Sequence, residues 1–267
     1  MEFIGYTASL AMGITLGLMG GGGSILTVPI LVYLFALSPM ISTGYSLFVV
    51  GTTALIGSIM YIRKGDIDLQ AGITFALLSV IGVNVSRGLI IPKIPSVVAH
   101  VGSFALTKEI LVMATFATLM VVASYSMIKR KKDQKPMEAH PAVRIALIAT
   151  VGLFVGIIAG FVGAGGGFLI IPALVFLAGL SMRIAVGTSL MIIALQSLLG
   201  FAGDISRGLI VDWSLLGTVT AFAVVGIIAG SAMAHKIKEQ KLKTAFGWFV
   251  LFMGVSILLE QLHHLST

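Results

Sequence analysis

The stretch Gly13–Pro29, GITLGLMGGGGSILTVP, returns 143 residues later as Gly156–Pro172, GIIAGFVGAGGGFLIIP. Gly13 pairs with Gly156, Gly17 with Gly160, Gly20 with Gly163, Gly22 with Gly165, Gly23 with Gly166 and Pro29 with Pro172. The same register runs on through Ser38/Ser181, Gly44/Gly187, Ser46/Ser189, Leu47/Leu190, Gly57/Gly200, Gly65/Gly208 and Ile67/Ile210. An offset held over more than fifty residues is a duplication. In a membrane chain, glycine and proline breaks at matching places in two halves point to a transporter's binding site.

Composition makes this a membrane chain. Hydrophobic residues are 58% and charged residues 10%, where soluble domains carry about 25% charged. Segments 3–62, 69–86, 110–128, 145–182, 184–203 and 213–235 hold no Asp, Glu, Lys or Arg. Roughly 20 apolar residues cross a hydrocarbon core, so several of these are full spans. They lack the alternation of an outer-membrane barrel, which leaves helices. The expected fold is an all-α polytopic membrane protein of two repeats, residues 1–128 and 142–267, joined by the polar linker 129–141. Each repeat reads as a glycine-broken first stretch and three ordinary spans. These are 3–37, 42–62, 69–91 and 108–128, then 144–180, 184–203, 213–235 and 244–260; residues 92–107 are an insertion in the first half.

Other classes fall away on residue content. Cysteine is absent, which excludes disulfides, thiolate metal sites and cysteine catalysis. No span holds a carboxylate pair, a His cluster or a Ser/His dyad, so no catalytic, metal or cofactor site is assigned. The net charge of +7 sits between apolar spans, which is membrane sidedness and not a nucleic-acid patch. The N-terminus has no basic n-region, so the first apolar stretch reads as retained.

Sidedness then decides the topology. If the first stretch of each half crosses once, the Lys and Arg residues divide nine against eight, with no bias. If the chain turns back at the glycines, thirteen fall on one face, and only Arg87, Lys93, Lys108 and Arg207 on the other. The second division is what the positive-inside rule expects. It makes the repeats inverted, gives eight to ten membrane segments, and places both termini outside. Re-entrant hairpin and double crossing stay open, though second arms of 14 and 13 residues (24–37 and 168–180) are short for a crossing.

The breaks are the expected site. Residues Gly20–Gly23 and Gly165–Gly167 can adopt left-handed backbone and let a ligand approach the main chain, and Gly20, Gly22, Gly23, Gly163, Gly165, Gly166 and Gly167 are the glycines expected to bind substrate. Helices beginning near Ser24 and Phe168 would aim free N–H groups and positive dipole ends at one cavity, an anion site needing no charged side chain. Ser46, Thr188 and Ser189, opening the next helix of each half, could complete an oxyanion's hydrogen bonds or bond their own backbone. Pro29 and Pro172 kink the second arms and set their direction. The spaced glycines Gly13/Gly17, Gly152/Gly156/Gly160 and Gly226/Gly230 are small-xxx-small patterns, read as helix packing. Asn84 and Gln196 lie within spans as interhelical glue or ligand contacts.

The doubled glycine–proline motif, with the later G-x-S and K/R-G-x-I elements, resembles the TauE/SafE family of sulfite exporters and sulfonate permeases over nearly the whole chain. The resemblance implies a secondary transporter, with export the expected direction, moving a small sulfur-containing anion across the cytoplasmic membrane by alternating access. It carries site roles onto Gly20, Gly22, Gly23, Ser46, Gly163, Gly165, Gly166, Thr188 and Ser189, with Pro29 and Pro172. Two readings stay open beside it: a transporter of another small ion or metabolite, and a non-transporting membrane receptor or partner protein.

Overall fold

A computed structural model describes residues 2–90, 93, 95, 97–101, 104–107, 118, 121, 122, 124, 125, 128, 141–162, 167–176, 178–206, 208–234 and 236–266. The linker 129–140 and most of the expected span 108–128 lie outside them. Helix α1 is Glu2–Met19, α2 the short Thr27–Pro29, α3 Pro39–Arg63 and α4 Leu69–Val85. In the second half α5 is Pro141–Val162, α6 Gly167–Phe176, α7 Met182–Ser206, α8 Trp213–Ala234 and α9 Glu239–Ser266. Among the described residues the departure from an all-helical chain is one antiparallel hairpin, β1 (Val97–Val101) with β2 (Phe104–Thr107), inside the 92–107 insertion. Among the described residues four helices are long and apolar enough to cross a membrane: 41–63, 69–90, 182–206 and 213–234. Leu77, Ile81, Leu199, Val225 and Phe252 point outward from these helices and α9, as expected of a surface that meets lipid. The chain is a polytopic membrane protein.

The first break has a definite cause. Met19 leaves the helix at φ −119, and Gly20 takes φ +60, a conformation costing an L side chain about 1–2 kcal/mol. The chain continues as a 3-10 turn over Gly20–Leu26, passes through α2, and widens into a π turn over Ile30–Leu34. That widening follows Pro29, which has no N–H to give and whose ring displaces the carbonyl a turn earlier. The arm returns beside α1: the Phe35 ring lies edge-on to Tyr6 with centroids 5.3 Å apart, and 2.6 Å from where a Cβ on Gly5 would sit. Its depth is therefore the rise from residue 5 to residue 20, about 22 Å, against a hydrocarbon core of about 30 Å. Helix α6 is shorter still at ten residues, about 15 Å.

Both arms end alike. Leu37 N–H donates to Leu31 O (3.2 Å) and Leu180 N–H to Leu174 O (3.0 Å), around the left-handed residues Ala36 and Gly179. Ser38 and Ser181 then open the next helices, each hydroxyl accepting from the amide three residues on, Ile41 and Ile184, at 3.4 Å.

The long helices pack reciprocally. Helix α1 lies on α8, and α5 on α4. A Cβ on Gly226 would strike Leu10 O and come within 2.9 Å of Gly13 Cα and Ile14 N. One on Gly82 would strike Leu153 O and lie 2.7 Å from Ile157 N and 3.0 Å from Gly156 C. Leu10, Gly13 and Ile14 are the residues that align with Leu153, Gly156 and Ile157. Gly17, Gly152 and Gly230 make similar backbone approaches, so the spaced glycines whose neighbours are described serve helix packing. Helices α3 and α7 cross between these seams. Gly51 faces Leu198, Gly57 faces Leu190 and Gly200 faces Leu47, so the two run antiparallel.

Candidate functional site

The two glycine clusters meet. A Cβ on Gly21 would fall on the backbone of Gly167, and one on Gly167 would lie 2.6 Å from Gly21 Cα and 2.7 Å from Gly21 O. Beside this contact a Cβ on Gly20 would sit 2.5 Å from Ser189 Oγ, 3.0 Å from Ile171 Cδ1 and 3.2 Å from Val186 O. The start of the first return arm, the start of α6 and the first turns of α7 thus converge with backbone touching backbone. The helical run begins at Gly20 and not near Ser24; Ser24 lies inside it, buried, and its hydroxyl donates to Gly21 O at 2.7 Å. The described residues of helix α6 run from Gly167, so Phe168 lies within it. The 3-10 run follows α1 directly, its first turns closed by the glycines themselves.

Of the remaining expected site residues, Gly22 lies in the same 3-10 turn. Gly23 packs back on α1, where a Cβ would be 2.5 Å from Leu16 N. Gly163, Gly165 and Gly166 lie outside the described residues. The hydroxyls take the backbone-bonding alternative: Ser189 Oγ donates to Val186 O and Ser46 Oγ to Thr43 O, both at 2.8 Å. Thr188 Oγ1 accepts from Asp68 N at 3.0 Å, away at the loop between α3 and α4. Pro29 and Pro172 both sit within their return arms. Gln196 is buried, its Oε1 within 3.3 Å of Ser79 Oγ on α4, which makes it interhelical glue. Asn84 Nδ2 donates to Val80 O of its own helix, and the two amides border a pocket of about 40 Å³.

Among the described residues the neighbourhood is largely apolar. Ile170, Ile171, Leu174, Ile192 and Ile193 are fully buried around it. Among the described residues no three His, Asp or Glu side chains converge on a point. The hydroxyls of Ser24, Ser46 and Ser189 donate to their own backbone, which leaves main chain as the group a ligand would meet here.

Residues 6–257 match the family model described as sulfite exporter TauE/SafE. The chain belongs to the TauE/SafE family. A relative from Xylella fastidiosa (strain 9a5c), named a probable membrane transporter protein, is 27% identical over 92% of this chain and 91% of its own. Probable membrane transporter protein YunE of Bacillus subtilis (strain 168) is 25% identical over 94% of this chain and 95% of its own. The archaeal MJ0441 of Methanocaldococcus jannaschii, also named a probable membrane transporter protein, is 27% identical over 86% and 83%. The TauE/SafE chain described here is therefore a membrane-transporter family member and not an enzyme.

Tyr61 carries no sequence signal, and Gly21, though inside the Gly20–Gly23 break, is not marked out within it. Gly21 aligns with Ala164, so comparing the two copies gave no reason to single it out from its glycine neighbours. Tyr61 is 1% exposed and donates its hydroxyl to Gly17 O at 2.9 Å, satisfying a last-turn carbonyl of α1 just before the break. Its aligned residue is Asp204, and nothing in an apolar span marks one tyrosine as such a partner.

Proposed function

We infer that this TauE/SafE member is a secondary transporter that exports a small sulfur-containing oxyanion, sulfite or an organosulfonate, across the cytoplasmic membrane. The anion is held where the glycine breaks meet, by main-chain amides of the run beginning at Gly20 and of α6, with Ser24 and Ser189 beside them, Ser46 and Thr188 opening the following helices, and Pro29 and Pro172 directing the arms. Gly20, Gly22, Gly23, Gly163, Gly165, Gly166 and Gly167 are the backbone ligand set. The observation that carries this reading is the contact of Gly21 with Gly167, inside a chain of a transporter family.

The transport cycle is alternating access between two inverted repeats, residues 1–128 and 142–267, with the linker 129–141 cytoplasmic and both termini outside. Three things support inversion. The corresponding helices α3 and α7 run antiparallel, which repeats of parallel orientation would not give. The return of Phe35 to Gly5 and Tyr6 supports a chain that turns back at the glycines. The charge division of thirteen against four follows from that reversal. A depth of about 22 Å favours a re-entrant hairpin over a double crossing.

Reconstituted liposomes test the function. Labelled sulfite or a small sulfonate is expected to cross at least tenfold faster than in empty vesicles, with unlabelled sulfur oxyanions competing and monovalent cations not. Flux of a cation with no effect of sulfur oxyanions would contradict the proposal. Saturable binding without flux would instead favour a receptor.

A further inference from the structure

We propose that the loops joining α3 to α4 and α7 to α8 are the two gates of this transporter, each latched shut by a hydroxyl from the opposite half. The inference rests on the alternating-access reading and assigns its moving parts. The described residues of the two loops share one hydrogen-bond pattern. Gly65, at φ 74, donates its amide to Ile62 O at 3.0 Å, and the next residue, Asp66, donates to Tyr61 O at 3.0 Å. Gly208, at φ 94, donates to Ile205 O at 2.9 Å, and Leu209 to Asp204 O at 3.1 Å. Each loop ends on an aspartate that caps the next helix: Asp68 Oδ1 accepts from Ala71 N at 2.9 Å, and Asp212 Oδ1 from Ser214 N at 3.0 Å and Leu215 N at 3.1 Å.

The main-chain N–H of each capping aspartate reaches into the other half. Asp68 N–H donates to Thr188 Oγ1, in the second turn of α7. Asp212 N–H donates to Tyr45 Oη, in the second turn of α3. Thr188 and Tyr45 are aligned residues, 143 apart, so a threonine and a tyrosine of different reach hold the same atom of the same turn. Both are buried, at 0% and 3% exposed. Each latch has a glycine floor. A Cβ on Gly187 would strike Asp66 O and lie 3.0 Å from Ile67 Cγ1, and one on Gly44 would lie 2.7 Å from Leu209 Cδ2.

Because α3 and α7 are antiparallel, the latches sit at opposite ends of the pair, and so at opposite membrane faces. The α1–α8 and α4–α5 seams are backbone packed on backbone, which resists small displacements. The latches instead hold the loops through neutral hydrogen bonds, Asp68 N–H to Thr188 Oγ1 on one side and, on the other, Asp212 N–H to Tyr45 Oη with Tyr45 Oη donating to Ile210 O at 3.5 Å, contacts an equilibrium can open at modest cost. Opening one latch while the other holds exposes the middle of the molecule to one side only.

The absence of cysteine permits clean reporters. Single cysteines at Leu209 or Ile67, both partly buried under their loops, are labelled with a hydrophilic maleimide in detergent-solubilised full-length protein. Tyr45→Phe is expected to raise labelling of the Leu209→Cys reporter about fivefold and to lower that of Ile67→Cys; Thr188→Val is expected to do the reverse. Elution profile and melting temperature must match the parent reporter for each variant. Rates that rise together, or that stay within twofold of the parent, overturn the proposal. Reciprocal labelling in a protein that moves no sulfur oxyanion in liposomes would uphold the gates and refute the transport reading. Normal flux with non-reciprocal labelling would do the opposite.

Discussion

Gly21→Ala and Gly167→Ala are each expected to destabilise the protein by more than about 3 kcal/mol. Overpacking a core typically costs about 1–3 kcal/mol because side chains can shift. Here the added methyl meets main chain: the Gly167 backbone in one case, and in the other Gly21 Cα at 2.6 Å and its carbonyl oxygen at 2.7 Å, with Ile193 Cδ1 at 2.9 Å. Neither return arm can withdraw without dragging the other break. Gly203→Ala and Gly217→Ala are the controls, since nothing lies within 4 Å of a Cβ at either. Both sit inside helices, where alanine is favoured over glycine by up to about 1 kcal/mol. Melting temperature of the purified protein should fall by ten degrees or more for the first pair and stay level or rise for the controls. Equal behaviour of both pairs would mean that the breaks do not touch.

The second large effect concerns the paired seams. Gly226→Ala and Gly82→Ala are expected to destabilise by similar amounts, about 2–4 kcal/mol each, because their methyl groups would meet the same backbone atoms of aligned residues. Leu10 O and Leu153 O are struck directly, and Ile14 N and Ile157 N stand at 2.9 Å and 2.7 Å. Thermal melts of the two variants should fall within a few degrees of each other. A large loss in one and none in the other would show that the seams are not equivalent, and would weaken the case for a repeated architecture.

Much of the helical fold is legible in the sequence because membrane helices announce themselves by charge-free length. The spans expected at 42–62, 69–91, 184–203 and 213–235 correspond to α3, α4, α7 and α8. The place of the first break is equally legible, since four consecutive glycines have no role in a packed helix and one of them takes φ +60. The start of the following helix is not. Ser24 has the chemistry of an N-cap, but without Cβ atoms the glycines themselves close the first 3-10 turn, and the serine bonds back to Gly21.

Partnership across the two halves is the least legible layer. Tyr45 and Thr188 look like a broken symmetry when the two copies are compared. In three dimensions both receive the amide of a helix-capping aspartate. Residue identity could not reveal this, because a phenol and a short hydroxyl are interchangeable only once the distance each must span is known. The hydroxyls of Ser46 and Ser189 likewise bond their own helices, which shifts the expected anion contacts from side chains to main-chain amides.

The most direct test of the account is sulfite flux through Gly22→Val and Gly165→Val protein in liposomes, beside the parent and beside Gly217→Val. Each variant enters the comparison only after eluting as a folded, monodisperse species. The account predicts that both break variants lose at least 90% of parental flux, because a branched side chain would screen the amides proposed to hold the anion, while Gly217→Val retains most of it. Parental flux in folded Gly22→Val and Gly165→Val protein would contradict it.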